Sequence, residues 1–419
     1  MKLQECSSRA VLVAVVVAWL GSSAWPSGAH AMSFGGQSTG VQATVPAAGV
    51  VIKAASGQLP PSGGEVDASL LSGDIPGSAT GGAVALSAGT LHSVVVGLDE
   101  TDAEASLANV SLTISGNGIT TDFMMARSNA SCGPGPAITG SSELANLVIN
   151  GQAITVTGNL NQTVALPNGT VIINQQLPSL SGTSGELSVM ALHVTTIDTI
   201  THQVLADVML AIADAQIDCQ AGSGPAGKAT TGGGWITVTP GGGKGTFGVV
   251  GAMRQDATFS GHLVYINHDT DFRVQSTSIE SVTPSCQGSV PQSQIVGSGN
   301  SNFGPVGFTV TVTDAGEPGS SDTFTIEVSG AVGDFQSGTL GGGNIRCAGR
   351  PARRARKNLA AGDSRPRGFS RPAEAFDQVS GMSRSNTVNV ERRVASSASR
   401  IWASPRPAPW ARSASKKRV

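Results

Sequence analysis

The chain has 419 residues, of which 39% are hydrophobic, 4% aromatic and 13% charged, about half the charged fraction usual in soluble domains. With 55 glycines, this composition excludes a coiled coil or helical bundle and points to many short strands joined by turns. The net charge of −2 hides two opposite polymers: residues 32–349 carry 23 acidic and 7 basic side chains, net −16, and residues 350–419 carry 4 and 17, net +13. So acidic a body argues against specific nucleic-acid binding.

Residues 1–31 read as a secretory signal peptide. Lys2 and Arg9 precede the apolar run Ala10 to Leu20, and Ala29-His30-Ala31 forms a small-residue cleavage site. That run is shorter than the roughly 20 residues a membrane span needs, and Cys6 precedes it, which is the wrong place for a lipoprotein cysteine. The mature chain has no transmembrane helix, and the expected location is extracellular or on the cell surface or envelope.

From about Val41 the chain repeats one texture, short runs of Val, Ile, Leu and Thr between Gly, Asn, Pro and Ser. Ala105 to Ile114, Gln152 to Leu160, Gly169 to Leu177 and Glu186 to Val194 all read as strands, with Asn150-Gly151 and Asn168-Gly169 as tight turns. Val204 to Ile217 has a helix-compatible composition but takes strand from its neighbours. Gln220 to Gly234 reads as a linker or long loop. A second β pattern follows: Gly234 to Pro240, Gly245 to Met253, Gly261 to His268, Phe272 to Val282, Val306 to Asp314 and Asp322 to Gly330. The expected fold is all-β, two sandwich-like modules of mainly antiparallel strands over residues 32–222 and 223–349. Residues 350–419, rich in Arg, Pro and Ser, are expected to be a disordered tail.

In an oxidising compartment the four mature cysteines, Cys132, Cys219, Cys286 and Cys347, form disulfides. Three connectivities are open. Cys132 with Cys219 and Cys286 with Cys347 is favoured because each pair then closes a loop inside one module. No CxxC and no nearby His suggest zinc.

Catalytic motifs lack their context. Gly36-Gln37-Ser38-Thr39-Gly40 spells a nucleophile elbow, but lies in a Gly/Ser-rich start with no strand-to-helix turn. Gly241 to Thr246 resembles a phosphate loop, yet Gly follows Lys244 and a strand follows the loop. The histidines His92, His193, His202, His262 and His268 are scattered, and His193 reads as a sheet residue. Asp269 and Asp271 in one turn, and Asp314, Glu317 and Asp322 in another, are weak calcium candidates without a calcium-loop spacing. No catalytic or cofactor-binding residue is assigned. The basic tail, with Trp402 and Trp410, attracts anionic polymers non-specifically.

Asn150 to Gln176, Ala191 to Val194 and Ala206 to Cys219 resemble the bacterial choice-of-anchor P family, over roughly residues 33 to 220. The second half is similar to a module that follows choice-of-anchor domains in secreted proteins. The resemblance implies an exported protein, displayed on the cell or released, with no catalytic residues to transfer. It also implies a sorting signal after Gly341 to Ile345, where this chain instead turns basic. A change of reading frame beyond about residue 345 would explain that departure. The expected function is therefore non-catalytic, a structural or binding role toward envelope polysaccharide or another surface protein. A secreted hydrolase or polysaccharide-active enzyme is the alternative, to be recognised by converging carboxylates or a Ser and His pair.

Overall fold

The computed structural model describes residues 32–220, 227–286, 290–330 and 332–348, all within one compact unit. The signal peptide and the basic tail lie outside the described residues. The protein is all-β: two sheets pack as a sandwich, and a third closes into an eight-stranded barrel. Among the described residues no helix is long and apolar enough to cross a membrane.

The first sheet has six strands in the order Gln162–Leu166, Gly169–Ser181, Ser184–Ile197, Val204–Asp218, Ser33–Val45 and Val50–Ala55, antiparallel throughout. The second sheet has nine strands built around the long hairpin Glu100–Ile114 and Asn117–Cys132. Its strand Thr90–Leu98 pairs with Glu100–Ile114 on one side and Gly64–Leu70 on the other. Asn150 and Gly151 both take positive φ, 50° and 79°, as their hairpin turn requires. Gln152 to Leu160 is not the strand its alternation suggested: only Gln152–Ala153 pairs, while Ile154 and Val156 pack partly against the sandwich core without a partner strand.

Thr90–Leu98 is buried at all nine positions, and side-chain parity explains why. Leu91 and Val95 join the sandwich core, whereas Val94, Val96 and Leu98 pack on Ala229, Val250 and Ala252 of the barrel. The same parity governs the next strand, where Ala103, Ala105 and Leu107 enter the sandwich core. Three layers result: the six-stranded sheet, the nine-stranded sheet and the barrel.

The barrel runs in chain order from Gly227–Thr237 to Asp334–Ala348, and these first and last strands pair to close it. Closure departs from the sandwich-like layout expected of this half, and it removes both free sheet edges. The interior is filled by side chains: Phe247, Tyr265 and Phe324 are at most 1% exposed, and the Phe247 and Phe324 rings stack with centroids 3.7 Å apart. It is a packed core and not a channel.

Gly227 to Gly234, assigned above to a linker, belongs instead to the first barrel strand; residues 221–226 lie outside the described residues. The glycines are there for close approach. A Cβ on Gly233 would stand 2.6 Å from Ser106 Oγ, and one on Gly341 would meet the Trp235 ring at 2.2 Å. A side chain at Gly233 would hold the barrel off the sandwich, and one at Gly341 would displace the Trp235 ring that packs against Ala108, Phe123 and Met125.

The cysteines pair as Cys132–Cys219 and Cys286–Cys347, the connectivity favoured from the sequence. The first joins the two sheets of the sandwich. The second ties the end of the barrel strand Phe272–Ser285 to the closing strand.

Candidate binding cleft between sandwich and barrel

On Glu100–Ile114 and Asn117–Cys132, the positions that face the barrel include polar ones: Asp102, Glu104 and Ser106 on one strand, Arg127 and Asn129 on the other. All five are at most 9% exposed. The barrel answers with Thr231, Arg346 and Asn344 from its first and last strands, and with Glu317 from the loop before Gly319–Ser321. A cleft of two lobes lies along this seam. One, about 230 Å³, is lined by residues that include Asp102, Arg127, Ser128, Asn129, Thr231 and Arg346; the other, about 350 Å³, includes Met125, Ser142, Glu143, Pro318 and Asn344. Arg127, Ser141 and Glu317 border both.

Ion pairs cross the seam in both directions. Arg346 places Nε 3.2 Å from Asp102 Oδ1 and Nη2 3.2 Å from Glu100 Oε1. Arg127 lies between Glu104 of its own sheet, with Nε 3.5 Å from Oε2, and Glu317 of the barrel loop, with Nη1 3.6 Å from Oε1. Both separations exceed a hydrogen bond, and Nη1, though buried, has no hydrogen-bond partner. Asn344 Oδ1 and Ser142 Oγ, in the second lobe, are likewise buried without partners.

Burial dominates the carboxyl groups here. It pushes Glu104 up to about 7 against the pull of Arg127, and it raises Asp102 despite Arg346. Thr231 lowers the Glu104 value somewhat, but no hydrogen bond of good geometry reaches either Glu104 oxygen. Glu143 is also raised by burial, while its Oε1 accepts the Gly343 amide at 3.0 Å. Burying a charge costs more than a single long ion pair returns, so these groups are held toward their neutral forms.

A second titratable cluster sits farther along the same seam. Ser69 Oγ lies 2.7 Å from His92 Nδ1, and burial with His262 nearby pushes His92 down to about 3. His262 is lowered by burial, opposed by Asp67, whose Oδ2 is 3.7 Å from Nδ1. Glu65 is pushed up to about 7 by burial and bonds the Ser260 hydroxyl. Ser69 and His92 form a Ser and His pair, but His92 Nε2 has no partner and the imidazole is 0% exposed. No carboxylate orients the ring, and substrate has no path to it.

The residues singled out from the sequence go elsewhere. Ser38 lies inside the strand Ser33–Val45, fully buried, and its Oγ donates to Val94 O at 2.7 Å; it is not an elbow. Gly241 to Lys244 is a hairpin turn in which Asp269 Oδ2 accepts the Gly243 amide at 2.9 Å, and Lys244 leaves it to pair with Asp122 and lie over Trp235. His193 stands in its sheet between Gln175 and Asp207.

The calcium candidates are not gathered into one site. Asp271 pairs with Arg273, Asp314 Oδ2 accepts the Cys347 amide, and both Asp322 oxygens accept amides, from Ala315 and Ile345. Backbone amides take the oxygens a cation would need. Among the described residues no group of three or more His, Cys, Asp or Glu side chains is placed to hold a metal ion. Glu317 alone of these five borders the cleft.

No family model and no curated protein matches the chain. Among solved structures, the chain is similar to a protein from Nitrosomonas europaea provisionally assigned as ATTH, at 8% identity over 75% of this chain and 92% of that one, with a TM-score of 0.18.

Proposed function

We propose that the protein is exported from a bacterial cell and acts, at the surface or outside it, as a non-catalytic structural or binding protein whose ligand site is the cleft between sandwich and barrel. The observation that carries this reading is Arg127, a buried cation with an unpartnered N–H, set in a cleft whose lining adds hydroxyls, the Asn129 amide, Arg346 and the carboxylates of Asp102 and Glu317. Unsatisfied buried donors cost stability, and a ligand that satisfies them recovers that cost on binding. Export is supported by the N-terminal leader pattern and by two disulfides, which persist in oxidising compartments. The resemblance to the choice-of-anchor P family favours display or release, with envelope polysaccharide or another surface protein as partner.

The hydrolase reading has less behind it. Glu104 has the raised pKa of a general acid but does not border the cleft, and the carboxylates that do are engaged: Asp102 with Arg346, Glu143 with the Gly343 amide and Glu317 with Asn344. Ser69 and His92 are buried.

Fractionation of a bacterial host expressing the full chain tests the proposal. A mature protein beginning near residue 32, disulfide-bonded and outside the cytoplasm, is the expected result, with polysaccharides left uncleaved after incubation. A reduced cytoplasmic protein, or the appearance of new reducing ends, overturns it.

A further inference from the structure

Glu317 occupies an anion position above Arg127. Its side chain is 64% exposed while the Arg127 side chain beneath it is 10% exposed, its Oε1 is 3.6 Å from Nη1, and its Oε2 accepts a hydrogen bond from Asn344 Nδ2 at 2.7 Å. Glu317 borders both lobes of the cleft. Arg127 has no other barrel carboxylate among its ion pairs in the described residues.

We propose that the cleft binds a carboxylate-bearing sugar, a uronic acid residue of an acidic polysaccharide, with the ligand carboxylate displacing Glu317 from Arg127. The inference rests on reading the cleft as a ligand site, and it specifies the ligand from three features. A guanidinium is the side chain best matched to a carboxylate, because its fork of N–H donors meets two oxygens at once. Arg127 now meets Glu317 by a single long contact, a weak bond for a loop residue to give up. The rest of the lining, which includes the charged Asp102, Arg346 and Glu143, also carries groups that sugar hydroxyls need. Ser141 and Thr231 offer hydroxyls, and Ser142 Oγ and Asn344 Oδ1 are unpartnered acceptors in the second lobe. Met125 and Pro318 add apolar surface for a ring face, and each lobe is of the size of one ring.

Displacement sets the signs of two substitutions against each other. Removing the competing charge with Glu317→Gln strengthens uronate binding, by about fivefold for one solvent-screened charge contact. Removing the receptor with Arg127→Gln weakens it tenfold or more. Calorimetric titration of the disulfide-bonded full chain with digalacturonate, its methyl ester and the hydroxyl-free dicarboxylate adipate reads all three claims. The expected result is binding of digalacturonate, loss with the ester, weak binding of adipate and the two opposite shifts in the variants. Arg127 is buried and its loss can disturb folding, so the exposed Glu317 variant decides by itself: unchanged or weaker digalacturonate binding by Glu317→Gln overturns the proposal. Equal binding of the ester overturns the carboxylate claim. Cleavage of digalacturonate would overturn the non-catalytic reading while leaving the ligand assignment standing; no binding and no cleavage would do the reverse.

Discussion

Gly248 of the barrel leaves the space that His92 of the sandwich fills: a Cβ at Gly248 would lie 2.5 Å from the imidazole Cγ and 2.9 Å from Nδ1. No methyl group fits, and neither backbone nor ring is free to move, since His92 is fully buried. Gly248→Ala is expected to lower unfolding stability by about 1–3 kcal/mol through overpacking. Gly118→Ala, where a Cβ meets nothing within 4 Å, serves as the control and changes stability by less than about 0.5 kcal/mol. Urea unfolding midpoints of the two variants make the comparison.

Glu65 makes stability fall as pH rises. Its carboxyl is held near 7 in the folded protein against 4.5 for the free group, so between those values the folded state binds more protons than the unfolded one. The contribution is fully present below about pH 4.5 and lost as pH rises through 7, amounting to about 3 kcal/mol. His92 acts oppositely, because its folded value near 3 lies below 6.5 and stability is lost as pH falls through that interval. Glu65→Gln is expected to be more stable than the parent at pH 8 relative to the same comparison at pH 4, read from denaturant unfolding at the two pH values. A difference independent of pH would refute the assignment.

Much of this was legible in the sequence because it is local. Strand texture and turn dipeptides depend on neighbours a short distance apart, and the cysteine pairs, though 87 and 61 residues apart, follow from keeping each loop inside one half. Barrel closure is not local, since it pairs the first strand of the module with its last, and Gly232 and Gly234, which permit it, look like a linker until Ile345 and Gly342 of the closing strand are seen against them. The cleft was missed because Asp102, Glu104 and Arg127 read as the solvent face of alternating strands, whereas a second layer covers that face. A usable signal was the scarcity of cations. Of seven in residues 32–349, Arg127, Lys244 and Arg346 each pair with a carboxylate across the seam. Arg346 and Cys347 also make specific bonds in the closing strand, which runs past residue 345 to Ala348.

The two disulfides differ in the loops they close, with cysteines 87 residues apart for Cys132–Cys219 and 61 for Cys286–Cys347. Chain-entropy arguments give each about 4 kcal/mol, slightly more for the longer loop. Paired serine variants are expected to lose about that much, measured by guanidinium unfolding. A Cys132→Ser, Cys219→Ser variant as stable as the parent would mean that the sandwich is held without its staple.

Arg346 and Asp102 couple the last barrel strand to the sandwich. Asp102 is 9% exposed, and besides Arg346 its Oδ1 accepts only the Asn129 amide, at 2.9 Å, among the described hydrogen bonds. Removing Arg346 takes away the main charge that opposes burial of the Asp102 carboxyl and leaves that group in a site that penalises its ionised form. Arg346→Met is expected to cost about 2–3 kcal/mol, below the full value for a buried pair because the arginine side chain is 29% exposed. The double variant Arg346→Met, Asp102→Asn removes both charges and is expected to recover at least half of that loss. A double-mutant cycle in urea measures the coupling. Strict additivity would mean that this pair contributes no coupling and that the other contacts across the seam hold the modules together.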